Sequence, residues 1–442
     1  MKKFWEKYKK VIGGIAFTAL CLLIWRIGVW IKLPFIDFDS SQVATGESIF
    51  GFLNIFTDDA LSSFSIVALG ISPYITASIV VQLLQMDIIP QFKEWAEEGE
   101  AGKEKLNRWT RYIALFLAFV QGLAIIIGYE VSYGYTYFQY IPNGDINIFT
   151  FIYMAIVLTA GTAFILWLSD QITMRGIGNG SSIMIVSGIV ASFPSMMTAL
   201  YNYFLGAEST YRDDSGVLAG KAIVFYILLL LFFILIIVGV VWMEGLKRKI
   251  PIQYANRPAS AKLIGNQDSN IPIKLNSASV IPVIFASTLL SVPLTIINFV
   301  TNSGAEISEW WTIVFSYSKP IGYAIYVILI FVFAFFYSFM QIDPDKMADN
   351  LKKQNAFIPG VKPGEATAQY LSKVLFKVTL LGATYLTILA SLPLIVGWIF
   401  KDLPAVVQIG GTSLMIVVGV AVETIKQMQT ATQSQEYHGF IE

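Results

Sequence analysis

Ten stretches of the chain are long, nearly continuous apolar runs. They lie near residues 11–33, 68–86, 111–129, 147–169, 181–204, 220–243, 277–299, 321–341, 374–399 and 404–426. A helix needs about 20 consecutive apolar residues to cross the hydrocarbon core of a bilayer. Lipid supplies no hydrogen-bond partner for exposed backbone, so runs of this length cross as helices. The pattern therefore predicts an all-α polytopic membrane protein with ten spans. The opening MKKFWEKYKK followed by VIGGIAFTALCLLIW mimics a secretory signal. A cleavage site would need small residues next, yet Trp25, Arg26 and Ile27 follow and the apolar run continues to Leu33. It is read as a retained first span.

The second run breaks the pattern. Residues 68–85, ALGISPYITASIVVQLLQ, carry Gly70, Ser72, Pro73, Thr76, Ser78, Gln82 and Gln85 among their apolar positions. Polar side chains and broken backbone survive at membrane depth only where they face protein or a water-filled cavity. This span is predicted to line a passage. The stretch at 47–67 is too polar to span, because Asn54, Thr57, Asp58, Asp59, Ser62 and Ser63 interrupt it. A re-entrant or interfacial piece fits it.

An even number of spans places both termini on one side, and the basic residues choose it. With cytoplasmic termini, the inner side holds Lys2, Lys3, Lys7, Lys9 and Lys10, then Lys93, Lys103, Lys105, Arg108 and Arg111, then Arg175. It also holds Lys247, Arg248, Lys249, Arg257, Lys262 and Lys274, then Lys346, Lys352, Lys353, Lys362 and Lys373, and Lys426 in the tail. These are 23 of the 30 lysines and arginines. The outer side holds little beyond Arg212, Lys319 and Lys401, with Lys32 and Lys221 at its edge. That asymmetry is the positive-inside pattern. Two inner loops are long, basic and rich in turn residues, about 244–276 and about 343–373. Such loops suit docking of an acidic or RNA-containing partner.

Composition narrows the chemistry. Hydrophobic residues make up 55%, charged residues 14%, and mean hydropathy is +0.64. The only cysteine, Cys21, lies inside an apolar run, so no intramolecular disulfide forms. The only histidine is His438. Bis-histidine haem ligation, HExxH proteolysis and histidine-rich metal transport are thereby excluded. No metal cluster, catalytic dyad or nucleotide site is legible, and no cofactor is expected. The run RGIGNG at 175–180 lacks a preceding strand and a following Lys-Ser/Thr, so it reads as a tight link between spans 4 and 5 rather than a phosphate loop.

Five blocks carry a family resemblance. They are 68–85, then DQITMRGIGNGSSIMI at 170–185, IKLNSASVIPVIFASTL at 273–289, MADNLKKQNAFIPGVKPGEA at 347–366 and IGGTSLMIVV at 409–418. In this order and at these spans the chain resembles the SecY family, the central subunit of the Sec protein-conducting channel. The resemblance implies two inverted pseudo-symmetric halves around an hourglass pore, here 1–205 (spans 1–5, with the plug at about 47–67) and 206–442 (spans 6–10). At the pore's waist it implies a ring of Ile75, Ile79, Ser181, Ile185, Ile284 and Ile416. Ile75/Ile79 and Ser181/Ile185 are each four apart, so each pair shares a helix face. A narrow apolar ring excludes ions by dewetting.

The same resemblance makes the 47–67 segment a plug, with the polar residues named above. It places a lateral gate between spans 2–3 and 7–8, with Gln121, Ser287 and Thr288 as polar gate residues. Arg248, Lys249 and Lys362 become docking residues for cytoplasmic partners. Three positions depart from the family pattern. Ser181 replaces an aliphatic residue, Thr57-Asp58-Asp59 replaces a glycine-rich turn, and Lys362 replaces an arginine, which is not equivalent at bidentate contacts.

The implied function is a conduit, not an enzyme. It passes unfolded secretory chains across the membrane and releases hydrophobic segments sideways into lipid. The implied partners are SecE-like and SecG-like membrane subunits, the SecA ATPase and the ribosome, with no sequence-specific nucleic-acid recognition. The implied location is the bacterial plasma membrane. A housekeeping channel and an accessory channel for few substrates both remain open. The rival of another class is a secondary transporter of a small solute, which also uses broken helices at the midplane. Such transporters use buried ionisable groups, whereas deep charges here are almost confined to Arg26. An intramembrane protease is weaker still, for want of paired membrane aspartates.

Overall fold

The structure is a computed structural model that describes residues 2–35, 64–85, 89–133, 148–206, 220–254, 270–302, 309–316, 319–399 and 405–438. In chain order its elements begin with α1 (Lys2–Trp30), α2 (Ser72–Leu84), α3 (Pro90–Glu97), α4 (Glu100–Tyr133), α5 (Ile148–Arg175), α6 (Gly180–Leu205) and α7 (Gly220–Gly245). Three strands follow, β1 (Lys247–Pro251), β2 (Gln253–Tyr254) and β3 (Asn270–Lys274). The chain continues through α8 (Ile281–Asn302), α9 (Glu309–Phe315), α10 (Pro320–Gln341), α11 (Pro344–Lys353), β4 (Ala356–Phe357), α12 (Glu365–Ile399) and α13 (Ala405–His438).

Each of the ten predicted apolar runs carries a helix, namely α1, α2, α4, α5, α6, α7, α8, α10, α12 and α13. Among the described residues, seven helical stretches are long and apolar enough to cross a membrane, including Ile148–Arg175, Gly180–Leu205 and Gly220–Gly245.

The second span is shorter than its apolar run predicts. Its helix starts at Ser72, not Ala68, and has 13 residues, about 20 Å at 1.5 Å per residue. Gly70 sits at φ +55°, a conformation that ends regular structure and suits glycine. Pro73 then occupies the first helical turn, where its missing N–H costs nothing.

Contacts group the chain into two compact units. The first comprises Met1–Tyr226, Ser291–Thr312 and Asp402–Glu442. In it α5 packs on α1, α4 and α6, α2 packs on α4, and α13 packs on α1 and α6. Its core joins Leu33, Phe64, Ala68 and Leu69 to Ala118, Ile126, Met154 and Leu158. The chain leaving α1 pairs with residues 64–66, through Leu33 N–H to the Phe64 carbonyl at 2.7 Å and Ile66 N–H to the Ile31 carbonyl at 3.0 Å. Gly161 of α5 makes this possible, because a Cβ there would lie 1.9 Å from the Ile66 carbonyl oxygen.

The second unit comprises Ile227–Leu290 and Ile313–Lys401. Here α10 packs along α12, and α11 packs on α12 and β4. β1 and β3 form an antiparallel pair, with Lys247 opposite Lys274 and Ile250 opposite Ile271. β2 and β4 form a second pair, Gln253 opposite Phe357 and Tyr254 opposite Ala356. The two long basic loops predicted from sequence are therefore joined by backbone hydrogen bonding. They share one core, in which Ile250 and Ile273 meet Leu351, Ile358, Leu371, Leu375 and Val378.

Candidate pore, gate and docking residues

Ile75 and Ile79 lie one turn apart on α2. Ile79 is buried and Ile75 half-buried. Two polar groups of this helix donate hydrogen bonds within it. Thr76 Oγ1 donates to the Ser72 carbonyl at 3.3 Å, and Gln82 Nε2 to Ser78 Oγ at 3.3 Å. Gln82 Oε1 is buried without a hydrogen-bond partner.

Ser181 and Ile185 lie one turn apart at the start of α6. Asn179 caps this helix, its Oδ1 accepting the Ser181 backbone N–H at 3.1 Å and the Ser181 hydroxyl at 2.7 Å. Ser181, expected in the ring, therefore spends its one donor inside its own helix turn. Ile185 is buried, as is Ile416 on α13, the helix that packs beside α6. In the second unit Ile284 is half-buried on α8.

The tight link between α5 and α6 is built as RGIGNG suggests. Gly180 N–H donates to Thr173 Oγ1 at 2.8 Å. A Cβ on Gly180 would lie 1.8 Å from the Ser169 carbonyl oxygen. Ile177 N–H donates to Thr18 Oγ1 of α1 at 3.2 Å, and a Cβ on Gly14 would meet Ile177 Cγ1 at 2.9 Å. The link is thus wedged against α1.

Of the gate residues, Gln121 is half-buried on α4 and Thr288 half-buried on α8. Ser287 is 9% exposed, and its hydroxyl donates to the Ile284 carbonyl of its own helix at 2.9 Å. Next to it, Phe285 makes edge-on contacts with Phe333 at 5.7 Å and Tyr337 at 6.3 Å, fixing α8 against α10. Asn54, Thr57, Asp58, Asp59, Ser62 and Ser63 lie outside the described residues.

Arg248 and Lys249 are both exposed on β1, but they are not side by side. Successive strand residues point to opposite faces. Arg248 shares its face with Ile250, which is buried in the shared core, while Lys249 lies on the other face with Lys247. Lys362 is exposed in a turn whose Gly360 and Gly364 have φ of +83° and +100°. Thr367 Oγ1 donates to the Lys362 carbonyl at 2.9 Å, tying this tip to the first turn of α12. Asp343 caps α11 by accepting from Asp345 N–H at 3.0 Å and Lys346 N–H at 3.2 Å.

Two polar pairs escaped the sequence reading. Arg111 of α4 and Asp170 of α5 form an ion pair at 2.9 Å. Asn276 Nδ2 donates to Glu244 Oε1 at 3.0 Å, and both residues are buried. This second pair fixes the base of the β1–β3 hairpin to the end of α7. α12 rides directly on that base, since a Cβ on Gly382 would lie 2.7 Å from the Leu275 carbonyl oxygen. The available signal was Glu244, a lone carboxylate closing an otherwise charge-free apolar run.

This arrangement of broken and continuous membrane helices is the fold of solved protein-conducting channels. One, described as "The structure of a protein conducting channel", aligns at a TM-score of 0.63 and 18% identity over 96% of this chain and 93% of that one. Another, "Sec61 in the Canine ribosome-channel complex from the endoplasmic reticulum", aligns at 0.57 and 17% identity over 96% and 93%. The SecY family profile matches residues 65–425. A relative from Halalkalibacterium halodurans, "Protein translocase subunit SecY", is 44% identical over 97% of this chain and 96% of its own length. The protein of the same description from Bacillus subtilis is 42% identical over 97% and 96%. The chain belongs to the SecY family.

Proposed function

We propose that this chain is the pore-forming subunit of a Sec-type protein translocase, passing unfolded polypeptides across the membrane and releasing hydrophobic segments into it. The observation that carries this reading is the end-to-end match to proteins described as protein translocase subunits, at 42–44% identity. The chain acts as a conduit, and energy comes from partners. Ile75, Ile79, Ser181, Ile185, Ile284 and Ile416 form the constricting ring, and Gln121, Ser287 and Thr288 line the lateral gate. The 47–67 segment serves as the plug. The halves 1–205 and 206–442 are the moving bodies. That residues 227–290 and 313–401 group into a unit of their own supports treating much of the second half as one body.

Arg248, Lys249 and Lys362 dock the partner that drives translocation. Their support is physical: the loops that carry them share a core and a strand pair, so they present one rigid platform rather than two independent loops. The partners are SecE-like and SecG-like subunits, a SecA-type ATPase and the ribosome. Two solved relatives are described in ribosome-bound states, which supports the last of these. The location is the bacterial plasma membrane with cytoplasmic termini, supported by the distribution of basic residues.

Depletion of the protein in its host, with pulse-labelling of exported and membrane proteins, tests this reading. Accumulation of many uncleaved precursors is expected. Accumulation of one or a few identifies an accessory channel. Unchanged export in a host with no second channel overturns the translocase reading in favour of solute transport.

A further inference from the structure

α12 has two opposite faces. Leu371, Leu375 and Val378 pack into the core beneath the hairpin, and Gly382 lies against the Leu275 carbonyl, all on one side. On the other side Lys373, Phe376, Lys377, Leu380, Leu381 and Ile388 are exposed. Their spacings of three and four place them on one continuous stripe. The stripe changes chemistry along its length, from two lysines near the start of the helix to apolar side chains beyond. Phe376 is 52%, Leu381 60% and Ile388 57% exposed, so this apolar face is uncovered by the described residues. The stretch Glu365–Leu392 is long and apolar enough to cross a membrane. In a membrane, a change of this kind at Phe376 and Lys377 is the one expected where a helix face passes from headgroups into hydrocarbon.

Among the described residues the lysine charges have no carboxylate counterpart. Lys373 and Lys377 stand one turn apart, a like-charge spacing that weakens a helix by itself. Neither makes an ion pair among the described residues. The contrast is α4, whose basic residues are matched by carboxylates: Lys103 with Glu100 at 3.1 Å, Lys105 with Glu98 at 2.8 Å and Arg108 with Glu104 at 3.6 Å. A lysine near the membrane surface lays its apolar stem along the helix and lifts its ammonium to the headgroup level. There it meets phosphate in a region where charge attraction is strong. We infer that Lys373 and Lys377 hold the headgroup phosphate of an anionic phospholipid, whose acyl chains lie along Phe376, Leu380, Leu381 and Ile388.

The test uses the full chain, with whatever membrane subunits copurify, in nanodiscs of phosphatidylcholine and phosphatidylglycerol. Native mass spectrometry counts the phosphatidylglycerol retained. In K373Q/K377Q that retention is expected to fall, with about thirty-fold weaker affinity at the site, and K373R/K377R is expected to restore it. Unchanged retention in K373Q/K377Q overturns the proposal. So does loss of a copurifying protein subunit with lipid retention intact, which assigns the face to a protein. Displacement of the lipid by soluble glycerol phosphate overturns it too, because the face is then a plain anion site. A photo-reactive benzoylphenylalanine at position 376, with both lysines in place, gives a second reading independent of the charge variants. Crosslinks enriched in phosphatidylglycerol over phosphatidylcholine are expected, and crosslinks to protein alone overturn the proposal.

Discussion

At the scale of single residues, Ser181 carries the clearest consequence. In the proposed constriction a hydroxyl at this position holds water that an isoleucine would exclude, and its donor is already committed to Asn179 Oδ1 at 2.7 Å. The backbone N–H of Ser181 supplies a second bond to the same oxygen at 3.1 Å. Ser181→Ile therefore leaves the cap in place, and stability is expected to change by less than about 1 kcal/mol. Ion leak through the resting channel, measured as conductance in planar bilayers, is expected to fall. An unchanged leak would remove Ser181 from the constriction. Glycines give a second test of the packing. Gly161→Ala drives a Cβ to within 1.9 Å of the Ile66 carbonyl oxygen, an overpacking cost of about 1–3 kcal/mol. Gly13→Ala on α1 meets nothing within 4 Å and gains up to about 1 kcal/mol of helix propensity. Thermal unfolding in detergent is expected to show a clear fall in Tm for the first and none for the second.

At the scale of elements, the platform made by the two basic loops rests on a two-residue strand pair. Ladder partners in an antiparallel pair have Cα atoms about 4.5–5.5 Å apart, within the span of a disulfide. In a background carrying Cys21→Ala, the pair Gln253→Cys and Phe357→Cys is expected to crosslink on mild oxidation, as read by a mobility shift. The pair Lys249→Cys and Phe357→Cys is expected not to, since Lys249 stands about 13 Å further along the chain. Equal crosslinking of both pairs would show that the β2–β4 register does not hold. These strands were not legible in the sequence, although the membrane-spanning helices were. A membrane span advertises itself through its own composition, so hydropathy alone finds it. A five-residue strand such as Lys247–Pro251 has little pattern of its own and exists because Asn270–Lys274 lies opposite it. The helices α3 and α11 were missed for a related reason: each is short, and each is stabilised by packing on a longer neighbour, as Phe92 shows against Val81 and Leu106. The early start assigned to span 2 came from counting apolar residues through Gly70 and Pro73, where backbone conformation overrides hydropathy.

At the scale of the whole molecule, legibility reverses. The distribution of charge along the chain predicts sidedness without any coordinates, while the buried Glu244–Asn276 pair and the more exposed Arg111–Asp170 pair, each joining residues distant in sequence, are visible only in the fold. The structure also makes sidedness testable with few labels. Arg248 and Lys362 belong to loops joined by the β2–β4 pair, so they face the same compartment. Lys319 precedes α10, whose 22 residues rise about 33 Å before α11 returns the chain to that platform. Lys319 is therefore expected on the opposite side of the membrane from Lys362. In the Cys21→Ala background, a membrane-impermeant maleimide applied to intact cells is expected to label Lys319→Cys and spare Arg248→Cys and Lys362→Cys. In inverted vesicles the labelling is expected to exchange. If the exchange ran the other way, the basic loops would face outward and the positive-inside argument would fail for this chain. If Arg248→Cys and Lys362→Cys differed from each other, the shared platform would fall while the ten-helix fold could stand.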